Sequence, residues 1–340
     1  MLYFVNDYSE GAHPKIMEAL VRTNMEQTTG YTTDEYSNKA RDIIRERVGA
    51  PNADVHFFVG GTQTNLTTIS HMLRPYEAVI ACKTGHISVH ETGAIEATGH
   101  KVLEVDGKDY KVTIEDIQKQ LDFHESCHMV SPRMVYISNC TEMGTLYSKE
   151  ELQKLSRFCK EKNLYLFLDG ARLASALAAQ EPELKLEDYA KYCDVFYLGG
   201  TKSGLLFGEA LVVVNDEIKE NFDFSIKQKG GLLAKGRLLG VQFLELLEND
   251  LYIEMGRHQN KLAKKIKEAI IKKGLELVVD TPTNQIFIYA TDEQIEKLAK
   301  EVYFDSDFLS DRDEKIIRFV TSWATKEEDV DKLIEVINKL

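Results

Sequence analysis

Cysteine is scarce in this chain of 340 residues: Cys82, Cys127, Cys140, Cys159 and Cys193 are scattered, with no C-x-x-C pair among them. An odd, dispersed set excludes a disulfide framework and a cysteine-based zinc centre, and it reads as reduced thiols of a cytoplasmic protein. Most lie in or beside apolar runs such as VIAC and ISNC, where cysteine packs as a small hydrophobe. No metal site is expected. Positive charge is also short, with 42 Lys and Arg against 55 Asp and Glu and a formal net charge of −13. Without a basic cluster the chain is a poor match to nucleic acid or an anionic membrane. No stretch approaches the roughly 18 apolar residues of a membrane span. The opening MLYFVNDYSEGAHP lacks the basic start and apolar run of a signal peptide, so a cytoplasmic location is expected. Proline is sparse, at six residues, and neither an internal repeat nor a low-complexity tract occurs.

What the chain does have is a series of short, strand-length apolar runs. They are VHFFV (55–59), AVIAC (78–82), KVLEV (101–105), RMVYIS (133–138), LYLFL (164–168), DVFYL (194–198) and ALVVV (210–214). Such runs suit strands buried on both faces. Helical patterns lie between several of them, at 62–73, 113–123 and 148–163. Ser148 with Glu151 three residues on is a capping-box signature for the last of these. Alternating strands and helices predict crossover units and a mostly parallel sheet. A long helical region is expected over about 232–273, then strands at LELVV (275–279), QIFIY (285–289) and IIRFVTS (316–322) and a closing helix. The expected architecture is therefore α/β. A large domain over 1–245 carries a mostly parallel seven-stranded sheet, and a small α+β domain spans 246–340.

In open α/β sheets ligands bind beyond the carboxyl ends of the strands. Gly60-Gly61-Thr62-Gln63-Thr64-Asn65 follows VHFFV and opens a helix, which is either a phosphate cradle or only a tight connection. Asp169-Gly170-Ala171-Arg172 follows LYLFL. An acid there is costly unless paired, so Asp169 is either an ion-pair partner of Arg172, a helix cap, or an acid that keeps a heterocyclic nitrogen protonated. Gly199-Gly200-Thr201-Lys202-Ser203-Gly204 follows DVFYL. Burial disfavours a charged amine, so Lys202 suits Schiff-base chemistry, with a phosphate anchor or an incidental loop lysine as the alternatives. A phosphate cradle, an acid and a lysine at three strand ends are the protein-side parts that pyridoxal phosphate requires. A nicotinamide enzyme is disfavoured, because no Gly-rich fingerprint follows the first strand.

LFLDGARLASAL (166–177) and VFYLGGTKSGLLFGEALVVV (195–214) resemble segments of the threonine aldolase and β-eliminating lyase group of fold-type-I pyridoxal-phosphate enzymes. GGTQTN (60–65), GHISVHETGAIEATG (85–99), TPTNQIFI (281–288) and IIRFVTSWATKEEDVDKLIEVI (316–337) are similar in order and spacing. The resemblance implies an aminotransferase-like fold and pyridoxal 5'-phosphate as cofactor. It implies Lys202 as the imine lysine, Asp169 as the partner of the ring nitrogen, and His86 stacked on the ring as catalytic base. Gly61 and Thr62 would hold the phosphate, Arg172 would lie beside the cofactor, and Arg172 and Arg318 would bind the substrate carboxylate. On residue pattern alone His86 reads equally as a polar residue satisfied at a strand end, and Glu91 as its partner or a surface acid.

Some text departs from the group. Asn6-Asp7 stands where a Ser-Asp pair is usual, so Asn6 becomes the substrate-binding candidate. GYTTDEYS (30–37) leaves the group's tyrosine between Tyr31 and Tyr36, and ISNCTEMGT (137–145) lacks its second histidine, with His124 and His128 nearby. KQKGGLLAKGRLLG (227–240) is loosely similar to a segment that completes a neighbour's site, which implies a homodimer or homotetramer with shared sites and Lys227, Lys229 or Arg237 as contributors. The implied activity is cleavage of threonine or allo-threonine, a small amino-acid substrate, to glycine and an aldehyde. β-Elimination on the same site and a non-catalytic cofactor-binding role are the alternatives.

Overall fold

The computed structural model describes residues 1–248, 250–308, 310 and 312–340. The seven expected strands form one sheet, comprising β2 (Asp54–Phe58), β3 (Glu77–Cys82), β4 (Lys101–Val105), β5 (Ser131–Ser138), β6 (Tyr165–Asp169), β7 (Val195–Gly199) and β8 (Glu209–Val213). A preceding two-residue strand, β1 (Leu2–Tyr3), lies elsewhere. The strand order is β2-β8-β7-β6-β5-β3-β4. β3 to β7 run parallel, and β8 is antiparallel to both of its neighbours. The reason is connection length. β8 follows β7 after a short turn, whereas the parallel strands are joined by crossovers long enough to hold a helix.

The sheet is apolar on both faces because each face is covered. Ile80, Ile137, Leu168, Leu198 and Val212 pack into one cluster, and their strand neighbours Val79, Tyr136, Phe167, Tyr197 and Leu211 into another. That alternation is the two-residue period of a strand. β3 leads outward to β4, and the chain then returns to the other side of β3 as β5. The sheet therefore switches direction between β3 and β5, the place where a crevice opens in such folds.

The C-terminal part holds β9 (Gln285–Ala290), β10 (Val302–Tyr303), β11 (Asp305–Phe308) and β12 (Lys315–Val320). β11, β12 and β9 form an antiparallel sheet in that order. Ile286, Ile288, Ile317 and Phe319 pack against the helices Leu251–Lys273 and Glu327–Asn338 through Leu262, Ile266, Val330 and Leu333. β1 joins this part by pairing with β10, and Phe4 enters the same cluster.

Two expectations are corrected. LELVV makes only an isolated bridge from Leu277 to Ile288, held to the edge of β9 by the Val278 N–H donating to the Phe287 carbonyl and the Tyr289 N–H donating to the Glu276 carbonyl. The expected helix over 232–273 is two helices, Arg237–Glu248 and Leu251–Lys273, separated at Asp250, whose φ of 54° interrupts the helix. Asn249, which falls in that expectation, lies outside the described residues. Among the described residues no helix is long and apolar enough to cross a membrane.

The helix Lys149–Glu161 starts as its sequence demands. The Ser148 N–H donates to Glu151 at 2.7 Å, and the Glu151 N–H donates to the Ser148 hydroxyl oxygen at 3.2 Å. Replacing Ser148 with Ala should cost about 1 kcal/mol in urea unfolding without changing the steepness of the transition.

Candidate active site

Five strand ends, those of β2, β3, β5, β6 and β7, contribute to one crevice. The helix Gly61–Met72 follows β2, and no side chain caps its start. Its first N–H groups are therefore available to an anion, at the positive end of the helix dipole. Gly61 has little room above it: a Cβ there would lie 3.2 Å from the Tyr197 hydroxyl oxygen.

Asp169 closes β6 and is buried. Its carboxylate accepts from the Tyr136 hydroxyl at 2.5 Å, the Asn65 amide at 3.3 Å and the Ala171 N–H at 2.9 Å. Burial alone would raise its pKa. The His86 ring and the Tyr136 and Tyr197 hydroxyls outweigh that, and Asp169 is held below the ordinary carboxyl range. It therefore keeps its negative charge inside the protein. The expected alternative of an Asp169–Arg172 ion pair does not form, because Arg172 turns the other way. Its Nε and Nη2 donate to the two oxygens of Asp7 at 2.7 and 3.1 Å. Gly170 between them has no substitute, since a Cβ would run into the Tyr197 carbonyl.

At the sheet's switch point, the short helix His86–Val89 follows β3, and residues 139–142 follow β5. His86 Nδ1 lies 2.7 Å from Glu91, and the Asn65 amide donates to the same Glu91 oxygen at 2.7 Å. Glu91 is buried, which decides between the two readings left open for it: it is the partner of His86. Glu142 accepts from the His86 backbone N–H at 2.9 Å and the Ser138 hydroxyl at 2.7 Å, and burial raises its pKa. His124 is occupied elsewhere, against the carbonyl of Gln120 in its own helix.

Lys202 sits on the turn between β7 and β8. Burial and the nearby Arg172 guanidinium lower its pKa below that of a free lysine, with Asp7, Asp169 and Glu209 acting in opposition. An amine depressed in this way is more readily neutral, hence nucleophilic.

Arg318 stands slightly apart. It rises from β12, donates to Asp305 at 2.6 Å and Gln285 at 3.0 Å, and faces the rings of Phe287 and Phe308. Arg172 and Asp7 nevertheless fall within its electrostatic reach. Asn6 spends its carbonyl oxygen on its own turn, accepting from the Tyr8 N–H and the Ser9 hydroxyl. Of the two candidate tyrosines, Tyr36 donates to Glu26, and the exposed Tyr31 lies beneath Lys227 at 4.7 Å. Arg237 donates to the carbonyls of Glu26 and Asn24, and the Gln63 amide to that of Lys229. Residues 227–240 thus lie beside the 24–31 loop and the uncapped helix start.

Comparison with known proteins follows the same outline. The model of the beta-eliminating lyase family matches residues 5–293. A low specificity L-threonine aldolase of Pseudomonas aeruginosa is 29% identical over 333 residues, covering 97% of this chain and 95% of that protein. A solved structure of Leishmania major threonine aldolase has a TM-score of 0.98 at 47% identity, covering 100% of this chain and 99% of that one. An aspartate aminotransferase of Thermus thermophilus shares the fold at a TM-score of 0.74 and 17% identity, covering 100% of this chain and 91% of that one.

Asp7 generates a stability prediction. It is buried, and although burial raises its pKa, Arg172 and Lys202 bring it from 3.8 down to about 2. A carboxyl depressed in the folded state stabilises the protein above its unfolded pKa and loses that contribution as pH falls through the folded one. Asp7→Asn should cost about 3 kcal/mol near neutral pH by leaving Arg172 without its counter-charge. The gap to the unaltered protein should narrow by about 2 kcal/mol as pH falls from about 4 to 2. Urea titrations across that range would measure it.

Proposed function

The chain belongs to the beta-eliminating lyase family, and from that premise we propose that it is a pyridoxal-phosphate-dependent aldolase that cleaves threonine or allo-threonine to glycine and an aldehyde. One observation carries the reading: a half-buried amine, a buried charged acid and an uncapped helix start stand at strand ends on the same edge of the sheet. They fit the aldehyde, the ring nitrogen and the phosphate of the cofactor. Asn65 Oδ1 and Glu91 Oε2 are buried in the same crevice with no partner among the described residues, as expected of atoms that face a ligand.

When bound, pyridoxal phosphate supplies an electron sink for the pair released from the Cα–Cβ bond. The backbone at Gly61 and Thr62 holds the phosphate with free N–H groups. Asp169, kept charged by its hydroxyl donors, holds a proton on the ring nitrogen. Lys202 would hold the cofactor through its amine. Glu91 accepts a hydrogen bond from His86 Nδ1–H, which fixes that tautomer and leaves Nε2 free to accept the substrate's β-hydroxyl proton, directly or through a water. Arg172 and Arg318 fix the α-carboxylate, with the Asn6 amide beside it, so that the bond to be broken is presented in one orientation. Residues 227–240 and the exposed side chains of Met25, Tyr31 and Leu238 mark the face toward a second copy in a homodimer or homotetramer. The free cysteines suit the cytoplasm.

The purified protein should show a visible cofactor band that borohydride bleaches, leaving the cofactor attached to the peptide that contains Lys202. Incubation with the four threonine stereoisomers should release glycine and acetaldehyde. Ketoacid and ammonia from a β-substituted alanine, without aldehyde from threonine, would instead identify β-elimination.

The guanidinium fork of Arg318 gives a second expectation. Arg318→Ala should cost about 2–5 kcal/mol in kcat/KM for threonine, with the visible band unchanged. Arg318→Lys keeps the charge without the fork and should still raise KM strongly. A KM within about twofold in the Ala variant, under roughly 0.5 kcal/mol, would leave the carboxylate to Arg172 and Asn6.

A further inference from the structure

Glu209 is the first residue of β8, an otherwise wholly apolar buried strand, and it is itself only 3% exposed. It is paired across the sheet with Gly199 on β7 and with Phe58 on β2, so it sits directly behind the turn that carries Lys202. A buried carboxyl is expensive unless it makes specific bonds. Here both oxygens are used. One accepts from the Gly200 N–H at 3.1 Å and the other from the Thr201 hydroxyl at 2.8 Å. The Thr201 hydroxyl oxygen in turn accepts from the Gly208 N–H at 3.0 Å, which closes the turn from both sides. Gly200 also packs against Leu205 and the Gly208 carbonyl too closely for any side chain, so the turn has little freedom to rearrange.

Resting on the aldolase reading of this site, we propose that Glu209 is a positioning residue for Lys202: it fastens the turn that presents the amine, and its charge is one of those that set the amine's state. Several groups share this region. Arg172 opposes the charge on Lys202, whereas Asp7, Asp169 and Glu209 favour it. Tyr197 and Tyr252 also face Glu209, and the Tyr8 ring lies 5.9 Å from the Lys202 amine. Asp7 and Asp169 are held below the ordinary carboxyl range and stay charged at neutral pH. Burial pushes Glu209 up to about 8, so it is the member of that trio that changes charge in the neutral range. While neutral it leaves the Lys202 amine with less support for its proton. Once ionised, it holds that proton on.

The test reads the amine itself. The full-length protein, freed of cofactor, is reductively methylated with formaldehyde and cyanoborohydride over a pH series, and modification of Lys202 is followed by mass spectrometry. Glu209→Gln keeps the size of the side chain and removes its charge. Its Lys202 curve should move about half a pH unit or more toward acid, which is about threefold more reactive amine on the rising limb. Glu209→Asp, which keeps an ionisable carboxyl, should restore the original curve. If the Gln variant does not fold, Thr201→Val serves. Loss of the hydroxyl donor disfavours the ionised carboxyl, and the curve should move in the same direction. A Gln or Val curve superimposed on that of the unaltered protein overturns the proposal, as does an Asp curve that follows Gln. Borohydride treatment that leaves no cofactor on the Lys202 peptide of the unaltered protein would overturn the aldolase reading instead, and the methylation curves do not depend on it.

Discussion

Everything at the crevice is organised around the bond between Asp7 and Arg172. Arg172 belongs to the segment that follows β6, Asp7 to the chain's first residues, and Asp7 accepts a third bond, at 2.8 Å, from Asn284, just before β9. The Asn284 amide also donates to the Thr321 carbonyl after β12. One buried carboxylate therefore ties the large sheet, the N-terminal residues and the C-terminal sheet together. Without it Arg172 would be a largely buried cation with no counter-charge, and the two sheets would lose a polar contact they share. Its charge also reaches Lys202, so the same residue that joins the parts of the molecule helps set the state of the amine.

The large sheet was legible because its strands are buried on both faces, which writes them as continuous apolar runs that need no partner to be recognised. ALVVV and DVFYL are of that kind. β1 and β10 are two residues each and owe their existence to pairing with one another across 300 positions, which no local pattern records. β11 begins Asp305-Ser306 and has no apolar alternation to detect. LELVV reads as a strand by composition but reaches β9 with one bridge, since composition does not say whether a neighbour offers free backbone groups. The helix break at Asp250 was hidden because apolar residues continue at helical spacing on both sides of it.

The candidate site divides in the same way. Lys202 and Asp169 announce themselves, each a charged residue beside glycine at the end of an apolar run. Their partners do not. Tyr136 reads as one more aromatic in a strand, yet its hydroxyl is what Asp169 leans on. Glu91 could be called neither buried nor exposed until the packing of the loop after β3 was known. Asp7 lies 165 positions from Arg172 and 277 from Asn284, so its role is a property of the closed fold. Glu209 left a signal that was readable in hindsight: an acid at the start of a buried apolar strand is costly, and it stands directly after the glycine that ends the lysine turn.

Both arginines assigned here to a carboxylate already hold one. Arg172 is paired with Asp7 along its Nε and Nη2 edge, and Arg318 donates to Asp305 through Nη2. A guanidinium placed in a crevice without a partner would pay desolvation with no return, so internal acids keep both cations stable when no substrate is present. They leave room for exchange in different ways. Asp7 is anchored by three donors and held strongly acidic, which makes it a fixed support that orients Arg172 along its Nε and Nη2 edge. Asp305 lies on the rim of the C-terminal sheet and keeps part of its side chain in contact with solvent, so releasing Arg318 costs it less. On the proposed assignment, an incoming α-carboxylate would replace one ion pair with another of the same chemistry, and the net gain would come from the second arginine it meets at the same time. Binding energy would thus be directed to a molecule that carries a carboxylate and an amine at the spacing of an α-amino acid. A carboxylate alone gains little over Asp305.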